Sequence, residues 1–434
     1  MNRLITVAIS AASVVASAGL AAPWIEELTP GFYVTDLSYD GTAAAGNVVG
    51  DLSYETFRWT QASGVVRLGQ ATVPAIGVGG GSPDISYDGN QVSASILSSD
   101  NHQTLGIWDV NTGWSEAFPP VPSFVYSQDQ TYGSAWGLSG DGRLLTGYYI
   151  TTNLSSHVQG CGWSPTGGLQ DFESPRARVN AASYDGSVVA GWEDNAAVWH
   201  GSWSPTVWRD GTKYFLSDPL GTTQVHSLSI DGTFAVGMGL DEYGAQQSAV
   251  IWRWNGAGYD TVFAGYHPDT VYTWGAAMMT SVTDDGTIAV GSNRLAFNPN
   301  QGVRAIIWTP ETGLLDGSDY LASIGVDMPE AFELRDFQSV SPDGSVIAAA
   351  GINAEVGEFQ TILIHLREPC PADLNSDRLV EDSDFVLFAN AYDMLDCSDP
   401  SMPLRCPSDI NRDGMVDDAD FVLFASAYDA LLCP

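Results

Sequence analysis

The chain has 434 residues with 52 acidic and 16 basic side chains, a formal charge of −36. Polyanions are held by clustered Lys and Arg, so 15 Arg and the single Lys213 argue against nucleic acid as a partner. With 44% hydrophobic and 11% aromatic residues and 46 Gly, the chain has ample apolar material to bury, which excludes a disordered acidic tail and describes a folded, turn-rich protein.

Residues 1–22 read as a signal peptide. Arg3 supplies a positive start, Leu4 to Leu20 is apolar and small, and Ala16-Ser17-Ala18 or Leu20-Ala21-Ala22 offers a small-x-small cleavage pattern, placing the mature start between Gly19 and Pro23. An uncleaved anchor is the competing reading, weakened by the Ala, Ser and Gly content of the run. No other stretch approaches a membrane-spanning length. The expectation is a monomeric protein, secreted or attached at the cell surface, with no membrane span after cleavage.

Between residues 23 and 366 one phrase recurs seven times: Leu37-Ser38-Tyr39-Asp40-Gly41, then Ser86-Tyr87-Asp88-Gly89, Ser139-Gly140-Asp141-Gly142, Ser183-Tyr184-Asp185-Gly186, Ser229-Ile230-Asp231-Gly232, Thr283-Asp284-Asp285-Gly286 and Ser341-Pro342-Asp343-Gly344. Asp-Gly between apolar runs is the strongest short hairpin signal, because Gly accepts the positive φ of a tight turn. About twenty residues later most repeats carry a second apolar strand with a tryptophan: Trp59, Trp108, Trp163, Val198-Trp199, Trp252 and Trp308, with His365 at that place in the seventh. The Asp-to-Asp spacings of 48, 53, 44, 46, 54 and 58 residues suit four short antiparallel strands per unit.

The fold expected is therefore mainly β, a seven-bladed β-propeller with the repeat tryptophans filling the gaps between blades. The last repeat stops short of an outer strand, so the segment Trp24 to Leu28 is expected to complete it and close the ring. These units resemble the extracellular HAF-type repeat family, most fully at Glu55-Thr56-Phe57-Arg58-Trp59-Thr60 with Gly64 and Leu68-Gly69. That resemblance implies fold and export and defines no activity.

Residues 370–434 break the pattern with two copies of another motif, offset by 36 residues. Oxygen-bearing side chains stand at loop positions 1, 3, 5, 9 and 12: Asp373, Asn375, Asp377, Glu381 and Asp384, then Asp409, Asn411, Asp413, Asp417 and Asp420. Position 7, Leu379 or Met415, offers its backbone carbonyl. This spacing wraps a hard cation in oxygens, so two calcium sites are expected, in preference to an ion-free solvated acidic loop. Gly414 stands at the sharp turn of the second loop where the first has Arg378, so the second site is expected to be the tighter.

Each loop runs straight into an apolar helix, without the entering helix of a full EF-hand. The duplicated loop-helix pair resembles the dockerin family in its cysteine-flanked variant, a small α-helical module with paired EF-hand-like calcium loops. The resemblance implies a cohesin-type module or surface scaffold as partner, read by Asp382-Ser383 and Asp418-Ala419. Four cysteines belong to the duplicated unit, and export favours disulfides. Intra-repeat pairing (Cys370 with Cys397, Cys406 with Cys433) and crossed pairing (Cys370 with Cys433, Cys397 with Cys406) both respect the pseudo-twofold, and spacing does not choose between them. Cys161 is left over as a buried filler.

No catalytic pattern is present: no Gly-x-Ser-x-Gly, no His-Glu-x-x-His, no phosphate-binding Gly-Lys-Ser/Thr, and six scattered His. The turn explains the seven repeat Asp residues. Trp114, Trp136, Trp192, Trp203 and Trp274 either pack loops, the favoured reading, or stack sugar rings. Two functions remain: an exported, non-catalytic propeller offering its channel mouth or loops to a glycan or protein, and, as the alternative, a polysaccharide-acting hydrolase or lyase carrying a dockerin.

Overall fold

The computed structural model describes residues 23–49, 55–71, 81–98, 103–117, 132–150, 158–172, 176–194, 203–216, 223–243, 246–271, 277–295, 302–367, 370–375, 379–399, 401–411 and 413–430. The proposed signal peptide, Asp377, Arg378, Trp274 and Cys433 lie outside these. Seven four-stranded antiparallel sheets form a seven-bladed β-propeller. Six use consecutive strands, as in the fourth blade: Ala177–Ala182, Val188–Asp194, Trp203–Arg209 and Thr212–Phe215.

The seventh blade has only three such strands, Phe332–Val340, Val346–Asn353 and Glu358–His365. Its outer strand is Trp24–Glu27, paired from Trp24 opposite His365 to Glu27 opposite Ile362. The expected closure is thus formed. Trp24 stacks on His365 with centroids 3.6 Å apart, and burial pulls the His365 pKa down to about 4, so the ring packs as a neutral aromatic.

Each Ser-x-Asp-Gly phrase is the turn between a blade's innermost strand and the next. In the fourth blade Asp185 Oδ1 accepts from the Ser183 hydroxyl (3.1 Å) and the Ser187 N–H (2.9 Å), while Ser183 Oγ accepts the Val188 N–H (3.0 Å). The seven turn glycines have φ between +67° and +77°. The aspartates are therefore spent on the turn, as their spacing implies.

Tryptophans pack between blades. Trp59 of the first blade lies with Val346 and Ala348 of the seventh, and Trp252 of the fifth with Ala190 and Val207 of the fourth. One assignment needs correcting. In the fourth blade the residue opposite Val189 is Trp208, equivalent to Trp252 opposite Ala235. Trp208 is the repeat tryptophan. Trp199 stands 14 residues after its turn Asp where the others stand 19 to 23 after, and it lies outside the described residues.

A short helix not anticipated from the repeats, α1 (Gly317–Ser323), is capped by Asp316 and leads into the seventh blade. Beyond the propeller, α2 (Asp382–Tyr392) and α3 (Asp418–Ala430) form a small module. Its core stacks Phe388 on Phe424, centroids 4.9 Å apart, with Val380 and Val416 fully buried beside them. Cys397 and Cys406 are joined in a disulfide, Cα atoms 5.4 Å apart, which decides for the crossed pairing at these two residues. Cys370 is also disulfide-bonded.

Candidate functional site

Two places gather chemistry, the propeller axis and the C-terminal loops. On the axis the innermost strands enclose a cavity of about 280 Å³. Five residues before each turn Asp stand Thr35, Pro83, Trp136, Asn180, His226, Thr280 and Gln338, and all seven line it. The ladder skips six of them, for instance Asn180 between Val179 and Ala181, and His226 between Val225 and Ser227. A bulge kinks the strand and turns the extra side chain inward. The sequence carried this signal as a fixed offset from Asp-Gly, hidden because the seven residue types differ.

Within the cavity, burial followed by the nearby Asp36 carboxylate pushes Asp84 far above the usual carboxylate range. Asp84 Oδ2 accepts the Leu138 N–H (2.9 Å), Asp36 Oδ2 accepts the Ile85 N–H (3.2 Å), and the Ser339 hydroxyl donates to Asp36 Oδ1 (3.0 Å). The pair thus ties neighbouring blades together. Arg178 lies over Trp136, 3.6 Å from the ring centroid, and donates from Nε to Asn180 Oδ1 (2.7 Å). Burial lowers its pKa to about 9, and burial, followed by Arg178, lowers His226 to about 4. Both shifts follow from the cost of desolvating a cation.

The turn end of the axis is sealed. Backbone bonds link the turns in a ring: Tyr39 to Tyr87 (3.0 Å), Tyr87 to Gly140 (2.8 Å), Asp141 to Tyr184 (2.9 Å), Tyr184 to Ile230 (2.8 Å), Asp284 to Pro342 (2.8 Å) and Asp343 to Tyr39 (3.1 Å). The Ile230 N–H closes the remaining gap by donating to Asp284 Oδ1 (2.8 Å). Tyr87 reaches across the axis, its hydroxyl 2.9 Å from the same oxygen. The x of Ser-x-Asp-Gly is therefore the plug position.

Burial pushes Asp284 up to about 7, against those two donors and Arg405, which favour the ionised form. A folded-state value above the ordinary 3.8 means that the native protein binds the extra proton between about pH 4 and pH 7. Stability should therefore fall across that window and level off above it. Asp284→Asn keeps the acceptor oxygen and should flatten the fall, checked by urea midpoints from pH 4 to 8 in both proteins. Identical slopes would count against it.

In the C-terminal module, the position-12 carboxylates Asp384 and Asp420 are fully buried. Asp384 accepts the N–H groups of Leu374 (2.7 Å), Asn375 (3.1 Å) and Glu381 (3.0 Å), and Asp420 those of Asn411 (2.9 Å) and Asp417 (3.0 Å). Asp409 accepts from Asp413 (3.0 Å) and Gly414 (2.8 Å), the latter at φ +92°. In each loop the backbone of positions 3 and 9 is thus tied to the position-12 carboxylate, and in the second loop Asp409 also holds the backbone of Asp413 and Gly414.

Asp382 and Asp418 have internal partners. The Tyr392 hydroxyl donates to Asp418 Oδ1 (2.5 Å), and its counterpart Tyr428 donates to Asp382. The Ser383 hydroxyl donates to Glu381 (3.0 Å), and the Ala419 N–H to Asp417 (2.8 Å). Cys397, Cys406 and Asp409 also cluster. The sulfurs are bonded to each other, however, and a disulfide offers no thiolate to a metal. Cys161 is buried and free, its thiol pushed up by burial, as suits an inert filler.

Among the candidate sugar platforms, Trp192 is fully buried and stacked on Trp203, centroids 4.4 Å apart. The Trp114 indole N–H donates to the Leu68 carbonyl at 2.8 Å. Both are packing roles.

No protein-family model matches this sequence, and no curated protein matches it. Several solved structures are similar to this chain at low identity. TolB from Acinetobacter baumannii is 11% identical over 76% of this chain and 65% of its own, with a TM-score of 0.40; the chain thus spans just under two thirds of that protein. The β-propeller domain of the Trilobed protease from Pyrococcus furiosus is 13% identical over 77% and 95%, TM-score 0.47. Oligogalacturonate lyase from Vibrio parahaemolyticus is 11% identical over 81% and 98%, TM-score 0.44.

Proposed function

We propose that this chain is an exported, non-catalytic β-propeller that binds a glycan or protein at its channel mouth or loops. A calcium-dependent dockerin-like module tethers it to a cohesin-type partner or cell-surface scaffold. The observation that supports the tether is the duplicated loop, in which a buried position-12 carboxylate gathers backbone N–H groups in both copies.

Those residues fit calcium. Asp373, Asn375, Asp377, Leu379, Glu381 and Asp384 would hold one ion, and Asp409, Asn411, Asp413, Met415, Asp417 and Asp420 the second and tighter one. All offer oxygen, and calcium would supply the positive charge that a loop of four carboxylates lacks. Asp382-Ser383 and Asp418-Ala419 would be the positions for partner selection, with the two aspartates held in place by Tyr428 and Tyr392. Export is supported by the apolar segment of residues 4–20 and by the disulfide. The non-catalytic reading is supported by the axial carboxyls, which hold backbone N–H groups of the ring.

Calorimetric titration of the chelator-treated protein should show two calcium sites of unequal affinity and a gain of helical signal. Absence of any calcium-dependent change would remove the tether reading. Glycan arrays with reducing-end detection address the propeller: binding without released sugar fits the proposal, and released sugar the enzyme alternative.

A further inference from the structure

The last strand of the seventh blade ends at His365 and the module begins at Cys370, so at most about 18 Å of chain joins them. The chain leaves at the sealed pole. The Leu366 N–H donates to the Ser345 carbonyl (2.7 Å) and the Arg367 guanidinium to the Asp343 carbonyl. Within that reach Arg405 of the module lies over the ring of Tyr39, 3.4 Å from its centroid. Arg405 and Cys406 have φ of +71° and +50°, left-handed values uncommon for side-chain-bearing residues, and Cys406 is anchored by its disulfide. The loop is thus held in a shape that presents Arg405 to the pole.

The cleft beside this contact, about 50 Å³, is lined by Asp40, Asp343 and Arg367 from the propeller and by Asp373, Asp409 and Arg405 from the module. The residues lining it thus carry four carboxylates and two guanidiniums. Asp373 and Asp409 are the first positions of the two proposed calcium loops. With both neutralised by calcium, Asp40 and Asp343 balance Arg367 and Arg405. Without calcium the surplus of negative charge pushes module and propeller apart.

We propose that calcium seats the C-terminal module on the sealed pole of the propeller, with Arg405 on Tyr39 as the latch, an inference that rests on the calcium reading above. The tether then has two states, a seated one with calcium and a released one without. By linkage, whatever unseats the module must weaken calcium binding by the same factor.

The full-length protein, its Arg405→Ala variant and its Tyr39→Leu variant test this. Tyr39→Leu removes the aromatic partner without touching the module, so it guards against misfolding of the loop in Arg405→Ala. Calorimetry reads calcium, and mass spectrometry reads tryptic cleavage after Arg367. Both variants should keep two calcium sites, bind calcium about fivefold more weakly, and in calcium be cut about fivefold faster than the parent, the scale of one cation–π contact. In chelator all three should be cut equally fast. Unchanged affinity and cleavage in both variants, with calcium still bound, would overturn the latch and leave the calcium reading standing. Absence of calcium binding in the parent would overturn both.

Discussion

Gly191→Ala is expected to destabilise the propeller by roughly 3 kcal/mol or more, at the upper end of overpacking changes. A Cβ on Gly191 would stand 2.0 Å from the Arg178 carbonyl oxygen. That oxygen belongs to the innermost strand and cannot retreat without breaking the ladder that pairs Val179 with Gly191. The cause is the bulge. Skipping Asn180 to aim it at the axis brings the inner strand close to its neighbour, and only a residue without a side chain fits beneath.

Gly46, Gly147, Gly237 and Gly291 stand at the same place, six residues after the turn Asp, with a backbone oxygen 2.0 to 2.1 Å from a would-be Cβ. Gly258→Ala is the control, since its Cβ would meet nothing and its φ is not left-handed. Urea unfolding should separate the two variants clearly, with the control within about 0.5 kcal/mol of the parent. Comparable midpoints would refute the close-approach account.

These glycines mark how far the sequence could be read. The runs ending in Gly191, Gly237 and Gly291 were visible as strands following a turn, and the number of blades and the strand that closes them follow from the spacing. The reason for the glycine was not visible, because the clash is with a strand that the spacing does not place. The same limit hid Asp284, whose role at the x position exists only once seven turns meet at an axis and Tyr87 crosses it. Trp199 misled for a simpler reason. Two Val-Trp pairs stand nine residues apart in the fourth blade, and either could end a strand until the register opposite Val189 selects Trp208. In the module the helices and their shared core were legible because each copy repeats the other at a fixed offset within one segment. Arg405 was not, since its partner Tyr39 lies at the other end of the chain.

Removing residues 23–30 should cost more than any single substitution. Four registered residues of the outer strand would go, along with Ile25 from the core of the seventh blade and Leu28, 3% exposed, from the cluster shared with the first blade. The Leu28 N–H to Thr361 bond (3.1 Å) and the Gln360 amide to Leu28 carbonyl bond (2.8 Å) would go as well. Counting about 2 kcal/mol for each apolar side chain and about 1 for each hydrogen bond gives a loss on the order of 5 kcal/mol or more. That is comparable with the whole stability of many domains.

The truncation would also expose the edge of Glu358–His365, whose residues 360 to 365 are otherwise buried, as an unpaired template for other chains. The expected result is a much lower urea midpoint together with concentration-dependent light scattering. A truncated protein that stays monomeric with an unchanged midpoint would show that the ring holds without its closing strand. That strand begins directly after the cleavage window proposed from the sequence, so a cut displaced by a few residues toward the C-terminus would remove Trp24 and Ile25 and with them half of the closing strand.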